Sequence, residues 1–279
     1  QMLAQLLINE KSRRGAQAAP EVRAALSDAG IRFVEDGWPD DIGAEIECII
    51  AAGGDGTLLG AIGNAVNRGL PLGVIPLGTF NELARTLAIP LDISSAVDVI
   101  AQGNERAIDV GRVNERYFVN ESSIGISSRA SRLQTTEVKR RFGFLGVIAT
   151  AIDAFRRSRP MHVIVEHAGG TEQLKTIQLT IANSHRFGGF LNVADAAIDD
   201  GWLDLYSVDI ESPWQAFHIA RAMLEGRRHD VPGLRTLRAK RFDVRSPHAH
   251  HITADAEPAG MTPATFDVLP KALRVFVPQ

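Results

Sequence analysis

From Met2 to about Ile108, short continuous apolar runs alternate with segments of helical period, the pattern of βαβ units wound around a parallel sheet. "LAQLLIN" predicts the first strand. "EVRAALSDAG" predicts the following helix, with Pro20 near its start and Gly30 just past its end, where helix termini favour those residues. "IECIIAA" and "PLGVIPL" predict two further buried strands, each closed by a glycine-containing turn that opens a helix. Both turns then lie at the carboxyl ends of strands, where open α/β sheets bind their ligands.

After "ERAIDVGRVNERYFVN" the pattern changes to hairpins. "MHVIVEH", the turn "AGG" and "TIQLTIANS" alternate in the two-residue rhythm of half-exposed strands. "WLDLYSVD", "RFDVRS", "HHITADAE" and "ALRVFVP" extend the series. One helix interrupts it from about Trp214, with Ser212 as cap, Pro213 at its first position and Gly226 at its end. The boundary is placed near Ile108, giving an α/β domain over 1–108 and a mainly β domain over 109–270.

At 279 residues the chain suits two domains. Charged residues make up 23% and the formal net charge is −3, which excludes bulk attraction to nucleic acid or to an anionic membrane and leaves room only for local basic patches. The one cysteine, Cys48, sits in an apolar run and reads as a small core residue. No apolar stretch reaches the roughly 18 to 20 residues of a membrane-spanning helix, and the N-terminus lacks a basic region followed by a long apolar segment, so the expected location is the cytoplasm.

The first glycine turn, "AAGGDGTLLG" (residues 51 to 60), offers backbone amides and a helix N-terminus to an anion, yet carries the carboxylate of Asp55. It is not a Walker A loop, because the following Gly-Lys-Ser/Thr is missing. It is not a dinucleotide fingerprint either: the spacing of Gly54, Gly56 and Gly60 is off, and the next strand has no terminal acid for a ribose. On this stretch alone, a phosphate cradle and a tight turn with Asp55 as a solvated or capping residue both stand. The second turn, "PLGTFNELAR" (Pro76 to Arg85), again follows a strand, carries glycine and hydroxyl, and opens a helix that Asn81 could cap.

Together the GGDGT at Gly53 to Thr57 and the Pro-x-Gly-Thr-x-Asn at Pro76 to Asn81 resemble the diacylglycerol kinase catalytic-domain family. Sphingosine and ceramide kinases are its relatives, and NAD kinases, which lack the second pattern, are more remote. "DDGWLDLYSV" (Asp199 to Val208) and "ADAEPAGMTPATFDVLPKALRVFVP" resemble the family's later segments, so the likeness spans nearly the whole chain. It implies a Rossmann-like α/β nucleotide domain followed by a β-sandwich, ATP in the cleft, and a C-terminal tail, 271–279, that returns to the first domain.

The resemblance also implies roles. Gly53, Gly54, Asp55, Gly56, Thr57, Leu58 and Leu59, with Gly78 and Thr79, match ATP-contacting positions. Asp55 would hold Mg²⁺ near the phosphates, since magnesium takes carboxylate, water and phosphate oxygens together. Asp255 matches the proton acceptor, with Glu257 its neighbour on the same strand face; the family's middle glycine is here Ala256. Two edge-strand acids in solvent is the plainer reading. Asp200 matches an acid that holds a structural Mg²⁺ with the carbonyls of Ala197 and Trp202, although Asp-Asp-Gly is also ordinary turn chemistry; Asp199 and Asp204 match less closely. The family's Asn-Asp is Asn81-Glu82 here, and its Asn-Pro-x-Ser-Gly is "NEKSR", of which Asn9 and Ser12 match.

The function implied is an ATP- and Mg²⁺-dependent lipid kinase acting on a hydroxyl of diacylglycerol or a related lipid. A kinase for a soluble acceptor such as NAD, and a nucleotide-binding regulator that has lost catalysis, are the alternatives. Expected partners are a lipid substrate, peripheral contact with the inner membrane face, a homodimer, and no nucleic acid. The segment Lys139 to Arg159, apolar between basic ends, is a core helix or a membrane-docking one. "HAHH" (His248 to His251) reads as a solvated edge rather than a metal site.

Overall fold

The N-terminal apolar runs form one parallel sheet. The computed structural model describes residues 2–35, 43–125, 159–184, 186–187, 191–192, 197–209, 212–224 and 231–279, and divides into two compact units, Gln1–Asp109 with Lys271–Gln279, and Val110–Pro270.

In the first unit the order is β1 (Leu3–Ile8), α1 (Arg13–Asp28), β2 (Arg32–Val34), β3 (Cys48–Gly53), α2 (Asp55–Arg68), β4 (Leu72–Pro76), α3 (Glu82–Thr86), α4 (Ile93–Gln102) and the start of β5 (Glu105–Val113). The strands lie in the order β2-β1-β3-β4, all parallel. β3 and β4 are apolar and buried almost throughout because helices cover both faces of such a sheet. Leu6, Ile50 and Ile75 from the strands meet Val22 and Val97 from α1 and α4 in one core, which Phe276 from the C-terminus joins.

Helix α1 starts earlier than the sequence pattern predicts, and Pro20 lies inside it on an exposed position. The cause is local. Ser12 accepts the Gly15 N–H at 3.0 Å and nucleates the helix there, so Gly15, Ala19, Val22 and Leu26 fall on one buried stripe.

The tail belongs to this unit. The end of β18 (Ala264–Phe276) pairs in parallel with β4, Val275 opposite Leu72. The Lys271 N–H donates to Asp109 at 2.8 Å, and Arg274 pairs with Glu105 and donates to the Gly69 carbonyl.

The second unit holds β6 (Arg116–Phe118), β7 (Glu121–Gly125), β8 (Met161–His167), β9 (Gly170–Thr176), β10 (Gln178–Ala182), β11 (Arg186–Phe187), β12 (Leu191–Asn192), β13 (Leu203–Val208), α5 (Pro213–Leu224), β14 (Leu234–Ala239), β15 (Arg241–Arg245), β16 (His251–Ala254), β17 (Glu257–Met261) and most of β18. One antiparallel sheet runs β14-β13-β10-β7-β16-β17; the other joins β18, β15, β8 and β9. Ile124, Leu179 and Leu205 of the first meet Val163, Phe242 and Phe266 of the second in a shared core, a sandwich.

Two expectations are corrected here. The hairpin partner of β8 is "GTEQLKT", His167 opposite Gly170, whereas Gln178–Ala182 turns to the other sheet between β7 and β13. Its exposed face makes β9 polar along most of its length, so it lacks the apolar alternation that marks a strand. "HHITADAE" is a strand only over His251–Ala254 (β16); Asp255 and Ala256 form a turn and Glu257 starts β17. Ser12 and Ser212 act as caps, the latter accepting the Gln215 N–H at 3.2 Å. Gly226, and the Lys139 to Arg159 segment save for Arg159 itself, lie outside the described residues.

Candidate active site

Strand register brings three turns to one edge of the first unit. Ile8 lies opposite Ala52, Ala52 opposite Ile75, and Gly53 opposite Pro76, so Asn9, Gly54 and Leu77 all leave the sheet at neighbouring carboxyl ends. β1 connects outward to β2 on one side while β3 lies on the other, which makes this the switch point where doubly wound sheets bind ligands.

The two glycine turns touch through backbone. A Cβ on Gly78 would stand 2.6 Å from the Gly54 Cα, and one on Gly53 would strike the Thr57 side chain. A side chain at Gly78 would force the turns apart, whereas one at Gly54 meets the Gly78 Cα only at 3.2 Å. Asn81 fixes the second turn: its Oδ1 accepts the Gly78 N–H and its Nδ2 donates to the Gly78 carbonyl, both at 2.9 Å, with the backbone left-handed at φ 50°.

Asn81 therefore does not cap α3 with its side chain, contrary to the sequence expectation. Asp55 does that work from the other turn, accepting the Glu82 N–H on Oδ1 at 3.0 Å. A carboxylate at the start of α2 also suits the positive end of that helix. Glu82 is buried, as is Leu58; Leu59 and Thr57 are half-buried, and Gly56 and Thr79 are exposed.

A cavity opens where these turns meet, lined by Gly53, Gly54, Asp55, Pro76 and Asn81, with Ala51, Leu58, Val74 and Ala84 behind them. Ala51, Val74 and Ala84 were not singled out by sequence, because small apolar residues on buried strands carry no local signal. Arg14 is a second omission. Its guanidinium donates to the Gly78 carbonyl at 3.1 Å, which places a positive charge beside the second turn. In the third turn Ser12 donates to the Asn9 carbonyl at 3.0 Å, and a Cβ on Gly15 would lie 2.0 Å from that oxygen, so this turn is closed tightly on itself.

In the second unit Asp255 and Ala256 are the two central residues of the β16–β17 hairpin, with φ 45° and 72°, the type I′ geometry that Asp-Gly adopts most easily. Asp255 is thus not on a strand, and the expected common strand face with Glu257 is corrected: Glu257 opens β17 opposite Ala254. The Asp255 carboxylate is buried and accepts three backbone N–H groups, from Val119 at 2.7 Å, Asn120 at 2.9 Å and Glu121 at 2.8 Å. Its own N–H donates to the Glu121 carbonyl at 2.8 Å. These bonds lock the hairpin tip to the β6–β7 connection.

Asp200 lies in the turn before β13. Its carboxylate accepts the N–H of Ala197 at 3.2 Å and of Trp202 at 3.0 Å, and is paired with Arg238. Among the described residues no group of three or more histidines, cysteines or acids could hold a metal.

A nucleotide-type α/β unit with two glycine turns at adjacent strand ends, followed by a β-sandwich, defines a class of two-domain phosphotransferase. The family described as "Diacylglycerol kinase catalytic domain" matches residues 4–113, and "YegS C-terminal NAD kinase beta sandwich-like domain" matches residues 120–277. A "Diacylglycerol kinase" of Staphylococcus epidermidis is 30% identical over 240 residues, covering 85% of this chain and 76% of that protein. One from Staphylococcus aureus is 30% identical over 236 residues, covering 83% and 75%. A solved structure of a diacylglycerol kinase from Bacillus anthracis str. Sterne superposes with a TM-score of 0.77 at 19% identity, covering 99% of this chain and 97% of that one. The chain belongs to the diacylglycerol kinase family and is a kinase.

Proposed function

We propose that the protein transfers the γ-phosphate of ATP, with Mg²⁺, to a hydroxyl of diacylglycerol or a related lipid. The observation that carries this reading is the pair of glycine turns joined by Asp55 and Glu82 at the sheet's switch point. Phosphoryl transfer is mostly positioning and charge stabilisation around a loose transition state. Backbone amides at the start of α2 and in the Gly78 turn suit phosphate oxygens, and Arg14 adds a cation beside them. Bound Mg²⁺ would neutralise phosphate charge. Asp55 suits it as a single carboxylate ligand, because its Oδ2 lies outside the bond to Glu82 and a triphosphate and water supply the other oxygens.

Asp255 serves the acceptor. With three amides holding it, the carboxylate is oriented rigidly, and in this reading it takes a hydrogen bond from the acceptor hydroxyl and then its proton. Among the described residues no helix is long and apolar enough to cross a membrane, so a lipid acceptor would be met at a membrane surface.

The test is incubation of purified protein with labelled ATP, Mg²⁺ and vesicles carrying diacylglycerols, glycolipids or long-chain bases. Transfer to one of these classes is expected. Transfer to NAD without lipid, or ATP binding with no transfer to any acceptor, would overturn the proposal.

A further inference from the structure

The resemblance places a structural Mg²⁺ at Asp200, with the carbonyls of Ala197 and Trp202 as its other protein ligands. The residues present do not fit it. A hard cation needs oxygen lone pairs turned inward, but Ala197 and Trp202 turn their N–H groups to Asp200, one to each carboxylate oxygen. Two peptide N–H groups, the positive ends of their dipoles, thus already occupy both oxygens of the carboxylate that would hold the ion.

A cation is already there. Arg238 on β14 pairs with the Asp200 oxygen that also accepts from Ala197. The sheet delivers it: Arg238 stands directly opposite Asp204 on β13, with Nε 3.9 Å from that carboxylate, so one guanidinium spans both acids. Its position is held on the other side by Trp202, whose ring lies 5.9 Å from the guanidinium carbon and 5.4 Å from the Lys240 ammonium. A planar guanidinium suits such a two-acid, one-ring setting better than a hydrated ion.

We propose that Arg238 is the resident cation of this turn, replacing a divalent metal, and that the second unit of this protein folds independently of a structural Mg²⁺. The proposal concerns stability and stands or falls apart from the kinase reading, so it is tested without nucleotide or lipid.

The full chain, stripped with EDTA, is titrated with MgCl₂ and MnCl₂ while thermal unfolding is followed and bound Mn²⁺ is counted by electron paramagnetic resonance. The wild type is expected to show no rise in Tm with either salt and no bound Mn²⁺ that Asp200→Asn removes. Arg238→Met and Asp200→Asn are each expected to lower Tm, and the double variant to lose little more than either one, because the two side chains act as a pair. Wild-type Mn²⁺ binding or Mg²⁺ stabilisation that disappears in Asp200→Asn would overturn the proposal, as would additive losses in the double variant. Should Arg238→Met fail to fold, the wild-type Mn²⁺ measurement decides alone, and Arg238→Lys supplies the milder partner for the cycle.

Discussion

The Asp55 carboxylate accepts the Glu82 N–H at 3.0 Å, so an acid in the first glycine turn caps the helix that follows the second. This explains a negative charge where bare amides would suit phosphate better. Asp55→Ala is expected to lose the cap at a cost of about 1 kcal/mol, with loss of kinase activity. Asp55→Asn keeps an acceptor oxygen but no charge. It should retain most of the stability while losing Mg²⁺-dependent turnover, and denaturant unfolding beside ATP kinetics separates the two effects.

The contact between the turns is asymmetric. A Cβ at Gly78 meets the Gly54 Cα at 2.6 Å, whereas a Cβ at Gly54 comes no closer than 3.2 Å to Gly78. Gly78→Ala must therefore push the turns apart and Gly54→Ala can be accommodated by a small shift. Calorimetric titration with ATP is expected to show the larger loss of affinity in Gly78→Ala; equal losses would mean that the backbone contact does not shape the site.

At the hairpin tip, Ala256 occupies a left-handed position that glycine adopts without strain. Ala256→Gly is expected to stabilise the protein by about 0.5–1 kcal/mol, read from the urea midpoint. Asp255→Asn should act in the opposite sense. The amide oxygen of Asn can keep the N–H groups of Asn120 and Glu121, but the NH₂ that replaces the other oxygen cannot accept from Val119, so Tm should fall together with turnover, while ATP affinity is retained.

Burial in β3, with smaller contributions from the charges of Glu47 and Glu105, pushes the Cys48 thiol from 9.0 up to about 12. The folded state keeps its proton over that interval while the unfolded chain loses it, so this contribution to stability is complete below pH 9 and declines towards pH 12, by about 1.4 kcal/mol per pH unit. Cys48→Ser, whose hydroxyl does not ionise, should flatten that part of the profile in chemical denaturation. Native protein should resist thiol alkylation at pH 8 and react once unfolded.

Periodicity and turn residues determined the order of the two units and the first unit's parallel sheet, because buried strands and capped helices write their environment into consecutive residues. β9 escaped that reading, since an exposed strand has no apolar alternation. So did Pro20 within α1, where Ser12 set the helix start by one side-chain bond. The two glycine turns and the Asp255 segment were legible as candidate chemistry. What tertiary structure decided is what each acid faces. Asp55 spans 27 positions to cap Glu82, Asp255 reaches back to the amides of Val119 to Glu121, and Asp200 meets Arg238 through the pairing of β13 with β14. Those partners lie far apart in the chain, and a carboxylate's role depends on whether an amide, a guanidinium or a cation stands within about 3 Å of it, which only folding arranges.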